Sequence, residues 1–435
     1  MWAVSAKFLL GIFRLAVAIT LLSADFAWAQ STQPVTQAVD TQVTKQYNAN
    51  PSAVGTARTG QNVADHDVGR ESGPLRGITL ALSAGIGYDD NVFRTESNTR
   101  DDFFWSVRPS VYLNSGFGRH AFRLGYEAVL IRYTEFDNQD YTDQRVFADA
   151  GLDLTRKLDL NLIGELRWGH DQRGGIGTCL VCSATPDTWR AYRVGADLVI
   201  GRAISRAQIT PSIEYSGIRY DNNAQSIRDF DRQDYRLRGR WRFSPRLSAI
   251  LEGGYATVDH LDPNNDLDRT ETTLLGGVGW EATAKTSGEI LIGTLVQEFD
   301  NPAEGSSTNF NWDVRVHWAP KPYSKVTLFT SRRTQEDAAG GVGHFLADTF
   351  GIGWHHAFTE RLVTDSNLDY TLARYTTGRQ DEYLAFQVGL TYKLVRWLDF
   401  GAQYRYLNRR SNIPGINYDD NMILLKLTAG FEHGL

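Results

Sequence analysis

The chain has 435 residues, a net charge of −6, 22% charged side chains, 12% aromatics and 40 glycines. A balance this close to neutral excludes nucleic acid as the main partner, because phosphate binding needs a strongly basic surface. The charged fraction excludes a helical membrane protein, whereas abundant Gly with Tyr, Trp and Phe suits β-sheet whose tight turns and aromatic girdles meet lipid.

Residues 1–29 read as a secretory signal peptide. Lys7 is followed by an apolar run from Phe8 to Leu22, broken by Arg14 and Thr20, and Ala27-Trp28-Ala29 forms a cleavage site. The run is too short for a spanning helix, which needs roughly 20 residues. Residues 30–75 lack periodicity and are rich in Gln, Thr, Ala, Asn and Asp, the texture of a flexible periplasmic segment.

From residue 76 to 435 the texture changes. Phe310, Trp312, Val314, Val316 and Trp318 alternate with Asn311, Asp313, Arg315 and His317. Leu398, Phe400, Ala402, Tyr404 and Tyr406 oppose Asp399, Gly401, Gln403 and Arg405, and Tyr235, Leu237, Gly239, Trp241 and Phe243 oppose four arginines. Period-2 alternation marks half-buried strands. These runs exceed the usual five or six residues of soluble strands and suffice to cross a bilayer tilted, which takes about 9–11 residues. Aromatics gather near the predicted strand ends at Trp105, Tyr112, Tyr133, Trp168, Tyr192, Trp241, Trp318, Tyr392 and Trp397, as an interfacial girdle requires. No other segment approaches the length of a membrane helix, so insertion must be by β-barrel.

Short connections, such as Thr155-Arg156-Lys157 and Ser244-Pro245-Arg246, alternate with longer polar ones at 89–101, 135–143, 171–187, 221–231, 259–269, 300–309, 336–345, 374–381 and 409–418. That is the pattern of tight periplasmic turns and longer outer loops. The reading is an all-β fold: a transmembrane antiparallel up-and-down β-barrel of about 18 strands, with 16 as the alternative because 287–299 and 323–335 alternate poorly. No loop is long enough to fold into the pore, which favours a monomer. The last strand places Ile423, Leu425, Leu427, Ala429 and Phe431 on one face, with Glu432–Leu435 as a tail beyond it. A closing strand ending on an aromatic resembles the signal read by the barrel-insertion machinery, an expected partner during assembly.

The piece Gly87-Tyr-Asp-Asp-Asn-Val-Phe93 resembles the opening hairpin of the putative β-barrel porin 2 family. Tyr-Asp-Asp-Asn recurs at 418–421 and Tyr-Asp-Asn-Asn at 220–223. The resemblance covers residues 76–431 and implies an outer-membrane barrel, with a role in exopolysaccharide biosynthesis or export, as conduit or accessory. Polysaccharide and periplasmic export components are then expected partners. The alternatives are a general or anion-preferring porin and, behind it, a structural barrel or a rim enzyme. Turn chemistry alone explains the Asp and Asn residues of the motifs, with Tyr at the outer interface.

If the apolar faces meet lipid, the opposite faces line the lumen. Arg236, Arg238, Arg240 and Arg242 then form a vertical basic ladder, with Asp313 and Arg315 on another wall. Two readings stand: a salt-bridge ladder paired with Glu214, Glu252, Asp313 or Asp153, or a track selecting anions. Cys179 and Cys182 suit a disulfide clipping the loop, or two free thiols; a zinc site would need further ligands. The acidic run Asp259–Asp268 lacks EF-hand spacing and reads as a solvated loop, so no metal or cofactor is expected. Enzyme motifs are absent. His355 and His356 face opposite sides of a strand and cannot work together, and His260 beside Asp259 has no further partner in reach.

Overall fold

The computed structural model describes residues 77–434, apart from positions 118, 177, 179–183, 203–204, 266, 284, 303 and 338–342. The expected signal segment, the N-terminal segment and the Cys179–Cys182 pair lie outside the described residues.

Eighteen strands follow in chain order. They are β1 (Gly77–Asp89), β2 (Asp102–Phe117), β3 (His120–Tyr133), β4 (Tyr141–Thr155), β5 (Leu158–His170), β6 (Thr188–Ile200), β7 (Ala207–Tyr220), β8 (Phe230–Ser244) and β9 (Leu247–His260). The second half comprises β10 (Arg269–Thr283), β11 (Thr286–Phe299), β12 (Ser306–Lys321), β13 (Ser324–Asp337), β14 (Gly343–Ala357), β15 (Leu362–Tyr375), β16 (Gln380–Val395), β17 (Leu398–Ser411) and β18 (Tyr418–Gly434). Each strand pairs antiparallel with its chain neighbours, and β1 pairs with β18, so the sheet closes on itself. The segments of weak alternation, 287–299 and 323–335, are β11 and β13; the barrel has 18 strands, not 16.

The faces follow the alternation. Leu80, Leu82, Ile86, Phe310, Trp318, Leu237, Trp241, Ile423 and Leu425 point outward and are exposed, while Thr79, Ser83, Asn311, Asp313, Gln403 and Lys426 are buried on the inner side. Register shifts interrupt the ladders beside five of the short turns, between residue pairs 153/155, 242/244, 281/283, 318/321 and 393/395. Bulges there end the pairing and sharpen the twist where the chain reverses.

Three expectations are corrected. Tyr112 and Tyr133 do not join the lipid girdle: they face the lumen, where Tyr112 donates to Glu127 (2.9 Å) and Tyr133 to Asp89 (3.1 Å). Residues 432–434 are not a tail but complete β18 against β1, with Gly77 opposite Gly434. Several outer connections are shorter than expected because the strands run on; only residues 376–379 join β15 to β16.

The closing seam is built from the recurring motif. Tyr88-Asp-Asp-Asn91 ends β1, Tyr418-Asp-Asp-Asn421 begins β18, and the two meet side by side. Asp90 accepts from the Asn421 backbone N–H (2.7 Å) and from its side-chain amide (2.8 Å). Asn91 returns the contact by donating to the Asp419 carbonyl (2.8 Å), and Asp89 accepts from the Asn91 N–H (3.0 Å). Turn chemistry thus accounts for part of the motif, and mutual locking of first and last strands for the rest. Replacing Asp90 by Ala leaves the Asn421 donors unmatched at a part-buried position. The expected cost is about 2 kcal/mol, read as a lower temperature for conversion of the compact to the extended band in heat-modifiability gels, with the exposed Asp137→Ala as an unaffected control.

Candidate functional site: an inward loop and a charged lumen

In the connection from β5 to β6, the described residues 171–176 fold inward at the outer mouth. The expectation that no loop is long enough to enter the pore is therefore overturned, and with it the ground for expecting a monomer. Tyr418 and Arg409 donate to the Gly174 carbonyl (3.0 and 3.4 Å), and Tyr383 donates to the Gly175 carbonyl (3.4 Å). Ile176 packs on a buried cluster of Phe345, Ala347, Ala373, Tyr375 and Tyr383 from β14, β15 and β16. In an 18-strand ring β14 lies nine places from β5, directly opposite. An 18-strand barrel is roughly 35 Å across between backbones. The six residues from His170 to Ile176 span at most about 20 Å; a turn in which the Gly175 N–H donates to the Gln172 carbonyl (3.0 Å) shortens that reach, and Tyr383, Tyr418 and Arg409 come inward to meet it.

The loop is held at root, middle and tip. At the root, Asp171 accepts from Trp189 Nε1 (3.1 Å), Arg228 (2.8 Å) and Tyr220 (3.4 Å). Asn222 and Asn223 donate to the Pro186 carbonyl (2.9 Å) and the Asp187 carboxylate (2.7 Å). In the middle, Arg94 bridges the Arg173 carbonyl (2.7 Å) and Asp420 (2.9 Å). Gly174 has φ +61°, a left-handed conformation that disfavours a side chain, and a Cβ there would lie 2.5 Å from the Tyr418 ring. The motif tyrosines at 220 and 418 therefore do not sit at the lipid interface; both face inward and seat this loop.

Two signals for the loop were present in the sequence. Residues 171–187 were the longest predicted connection, and Arg173-Gly174-Gly175-Ile176 puts an apolar side chain and two glycines at its tip.

The expected lumen residues are placed as follows. Arg236, Arg238, Arg240 and Arg242 all face inward from β8. Arg238 pairs with Glu252 (3.0 Å) and with Glu289, which Arg240 also contacts. Arg236 lies 3.8 Å from Asp197, and Arg242 lies 3.9 Å from Glu281. Glu252 was among the anticipated partners; Glu289, Asp197 and Glu281 were not. Asp313 faces inward but pairs with Arg333 on β13 rather than with the ladder. Arg315 stands opposite Glu289 in the β11–β12 register. Further up the wall, Arg232 joins Asp234 (2.8 Å) and Glu271 (2.9 Å). A second network on β3–β6 centres on Glu165, contacted by Arg145, Arg167 and Arg193. In a wall partly shielded from water such pairs hold each other: breaking one strands an uncompensated charge.

Three carboxylates, Asp89, Asp90 and Asp420, form the one group among the described residues that could gather round a cation. Their oxygens already serve Asn91, Tyr133, Asn421 and Arg94. In the 259–268 loop, Asp262 accepts from the Asn264 N–H (2.9 Å) and Asp268 from the His260 N–H (2.6 Å), which is turn chemistry. His355 faces inward and meets Asp365 (2.7 Å), while His356 faces outward against Tyr323, Trp354 and Phe358. His260 meets Asp268 (3.2 Å) rather than Asp259.

A closed barrel of 18 membrane-length strands, apolar outside and charged within, with a loop turned into its mouth, is an outer-membrane barrel of the porin class. This chain belongs to the family described as Putative beta-barrel porin 2, whose profile matches residues 78–431. None of the curated proteins compared with the chain matches it. Among solved structures it is similar to OpdO of Pseudomonas aeruginosa, at 15% identity and TM-score 0.43, covering 82% of this chain and 97% of that one. It is similar to OccAB2 of Acinetobacter baumannii, at 12% identity and TM-score 0.44, covering 83% and 100%. It is also similar to OpdK of Pseudomonas aeruginosa with vanillate, at 13% identity and TM-score 0.42, covering 82% and 99%.

Two outcomes test the loop. Gly174→Val should unseat the tip and give a larger, noisier single-channel conductance in planar bilayers, with the heat-modifiability midpoint unchanged. The second concerns Asp187. Burial pushes its carboxyl above the usual range; the Asn223 hydrogen bond opposes this and the nearby Asp171 charge adds to it. A raised pKa means that the seated loop prefers the protonated form. Seating is therefore strengthened as pH falls through the raised pKa towards the ~3.9 of a free carboxylate, and weakened as pH rises through it. Mean conductance should fall on acidification over that window, and Asp187→Asn should flatten the response.

Proposed function

We propose that this protein is a porin for small hydrophilic solutes, with a preference for anions, rather than a conduit for a polymer. The observation that supports the reading is the inward loop, whose residues Gly174 to Ile176 meet side chains of β14 to β18 across the mouth. A hydrated polysaccharide chain needs a mouth free of such a bar; ions and small solutes need only the spaces beside it. The exopolysaccharide reading rests on family resemblance, and the geometry adds nothing to it.

The preference for anions rests on β8. Four arginines stand above one another at a spacing of about 7 Å. Arg238 pairs with Glu252 and Glu289 and Arg240 with Glu289, while Arg236 lies 3.8 Å from Asp197 and Arg242 3.9 Å from Glu281. The ladder is thus a structural network that also lines one wall of the lumen with four guanidinium groups, and charged linings set the selectivity of wide pores.

Planar bilayers containing the purified protein should show steady conductance steps and a reversal potential favouring chloride over potassium. Arg238→Glu with Arg240→Glu should move that potential towards cations. Absence of any conductance would remove the porin reading, and an unchanged reversal potential would remove the role given to the ladder.

A further inference from the structure

The two ends of the barrel carry opposite charge. The outer loops hold the acids, among them Asp137, Asp221, Asp229, Asp262 and Asp300. The eight short turns at the other end are basic. Seven contain Arg or Lys: Arg119, Arg156 with Lys157, Arg202 with Arg206, Arg246, Lys285, Arg361 and Arg396. The eighth, Pro322-Tyr323, is flanked by Lys321 and Lys325. Glu360 is the single acid within those turns. In a chain of net charge −6 this is a pronounced local excess of positive charge.

The cations are displayed at one level. All those named in the turns are exposed. Arg156, Arg246, Arg361 and Arg396 enter no ion pair among the described residues. Arg119 donates to the Leu154 carbonyl (3.1 Å) and Arg202 to the Arg156 carbonyl (2.8 Å), contacts that fix position and leave the charge intact. The Arg206 guanidinium lies 5.3 Å from the Trp241 ring. Immediately above stands a lipid-facing girdle of Trp241, Trp318, Trp397 and Phe431, with Trp397 and Phe431 stacked at 6.0 Å. Outward aromatic rings mark the depth of the headgroups, so the turn cations beneath them sit where lipid phosphates do.

We infer that the periplasmic rim is a docking ring for the anionic phosphate headgroups of phospholipids in the periplasmic leaflet. The charge complements that partner, and the ring is continuous with the surface that already faces lipid. The opposite rim lacks this character: its outward arginines Arg132, Arg190 and Arg410 each stand against an acid, Asp140, Asp221 and Asp419. The inference does not depend on what the channel carries.

The full-length barrel is released in mild detergent with equal phosphatidylglycerol and phosphatidylcholine, and retained lipid is counted by native mass spectrometry. The wild type should retain phosphatidylglycerol preferentially, and added salt should erase the preference, because exposed charges are screened. A variant combining Arg156→Gln, Lys157→Gln, Arg246→Gln, Arg361→Gln and Arg396→Gln should lower the preference at least about tenfold, since each surface cation near an anionic leaflet contributes roughly fivefold. Arg132→Gln with Arg190→Gln and Arg410→Gln should leave it unchanged. Equal retention of the two lipids by the wild type would overturn the inference, as would a preference that survives the five turn substitutions or disappears with the three outer ones. Conductance of the turn variant, expected to match the wild type, keeps this result separate from the porin reading.

Discussion

Inside a bilayer no water is present to satisfy a backbone N–H or C=O, so a sheet in lipid must have no edge. Everything else in this protein depends on that constraint. It forces the last strand back onto the first, and it makes the β1–β18 seam the junction of residues farthest apart in sequence. The seam is where Asp90 and Asn421, and Asn91 and Asp419, are tied by side chain to backbone. Ladder bonds alone would close the sheet; these added bonds fix where it closes, because a slip of one residue would turn every apolar side chain from lipid to lumen.

Closure also decides where the charges go. With lipid outside, strand arginines and carboxylates are tolerated on the inner face, where they crowd. Crowded on one wall and largely buried, they pair, and the wall carries networks such as Arg145–Glu165–Arg193 and Arg238–Glu289–Arg240. In the proposed porin, selectivity is then set by how these networks balance rather than by the arginine count.

The loop and the seam share residues. Arg94, in the outer connection after β1, joins Asp420 at the seam to the Arg173 carbonyl of the loop, and Tyr418 serves the β18 motif while holding the loop tip. The elements that close the barrel therefore also narrow it. Polar contacts at a half-buried mouth give a seat that is firm yet sensitive to protonation, unlike the apolar contact of Ile176, which holds at any pH.

Alternation along single strands made the barrel, its strand number and its faces legible, because a period of two is a local property and lipid on one side is a uniform demand. The inward placement of Arg236 through Arg242, Asp313 and Arg315 was legible for the same reason. Which acid each arginine meets was not: Arg240 reaches Glu289 from β8 to β11, over Gly279 on an intervening strand, and such pairings depend on stagger around the ring. Tyr112, Tyr133, Tyr220 and Tyr418 read as interfacial, since residue type and nearness to a strand end do not reveal the face when a tyrosine has an inward partner. The path of residues 171–187 was likewise beyond local pattern. By itself the sequence determined a lipid-facing wall and a charged interior; only the tertiary structure decided how open that interior is, because the loop tip is held by side chains from strands on the far side of the barrel.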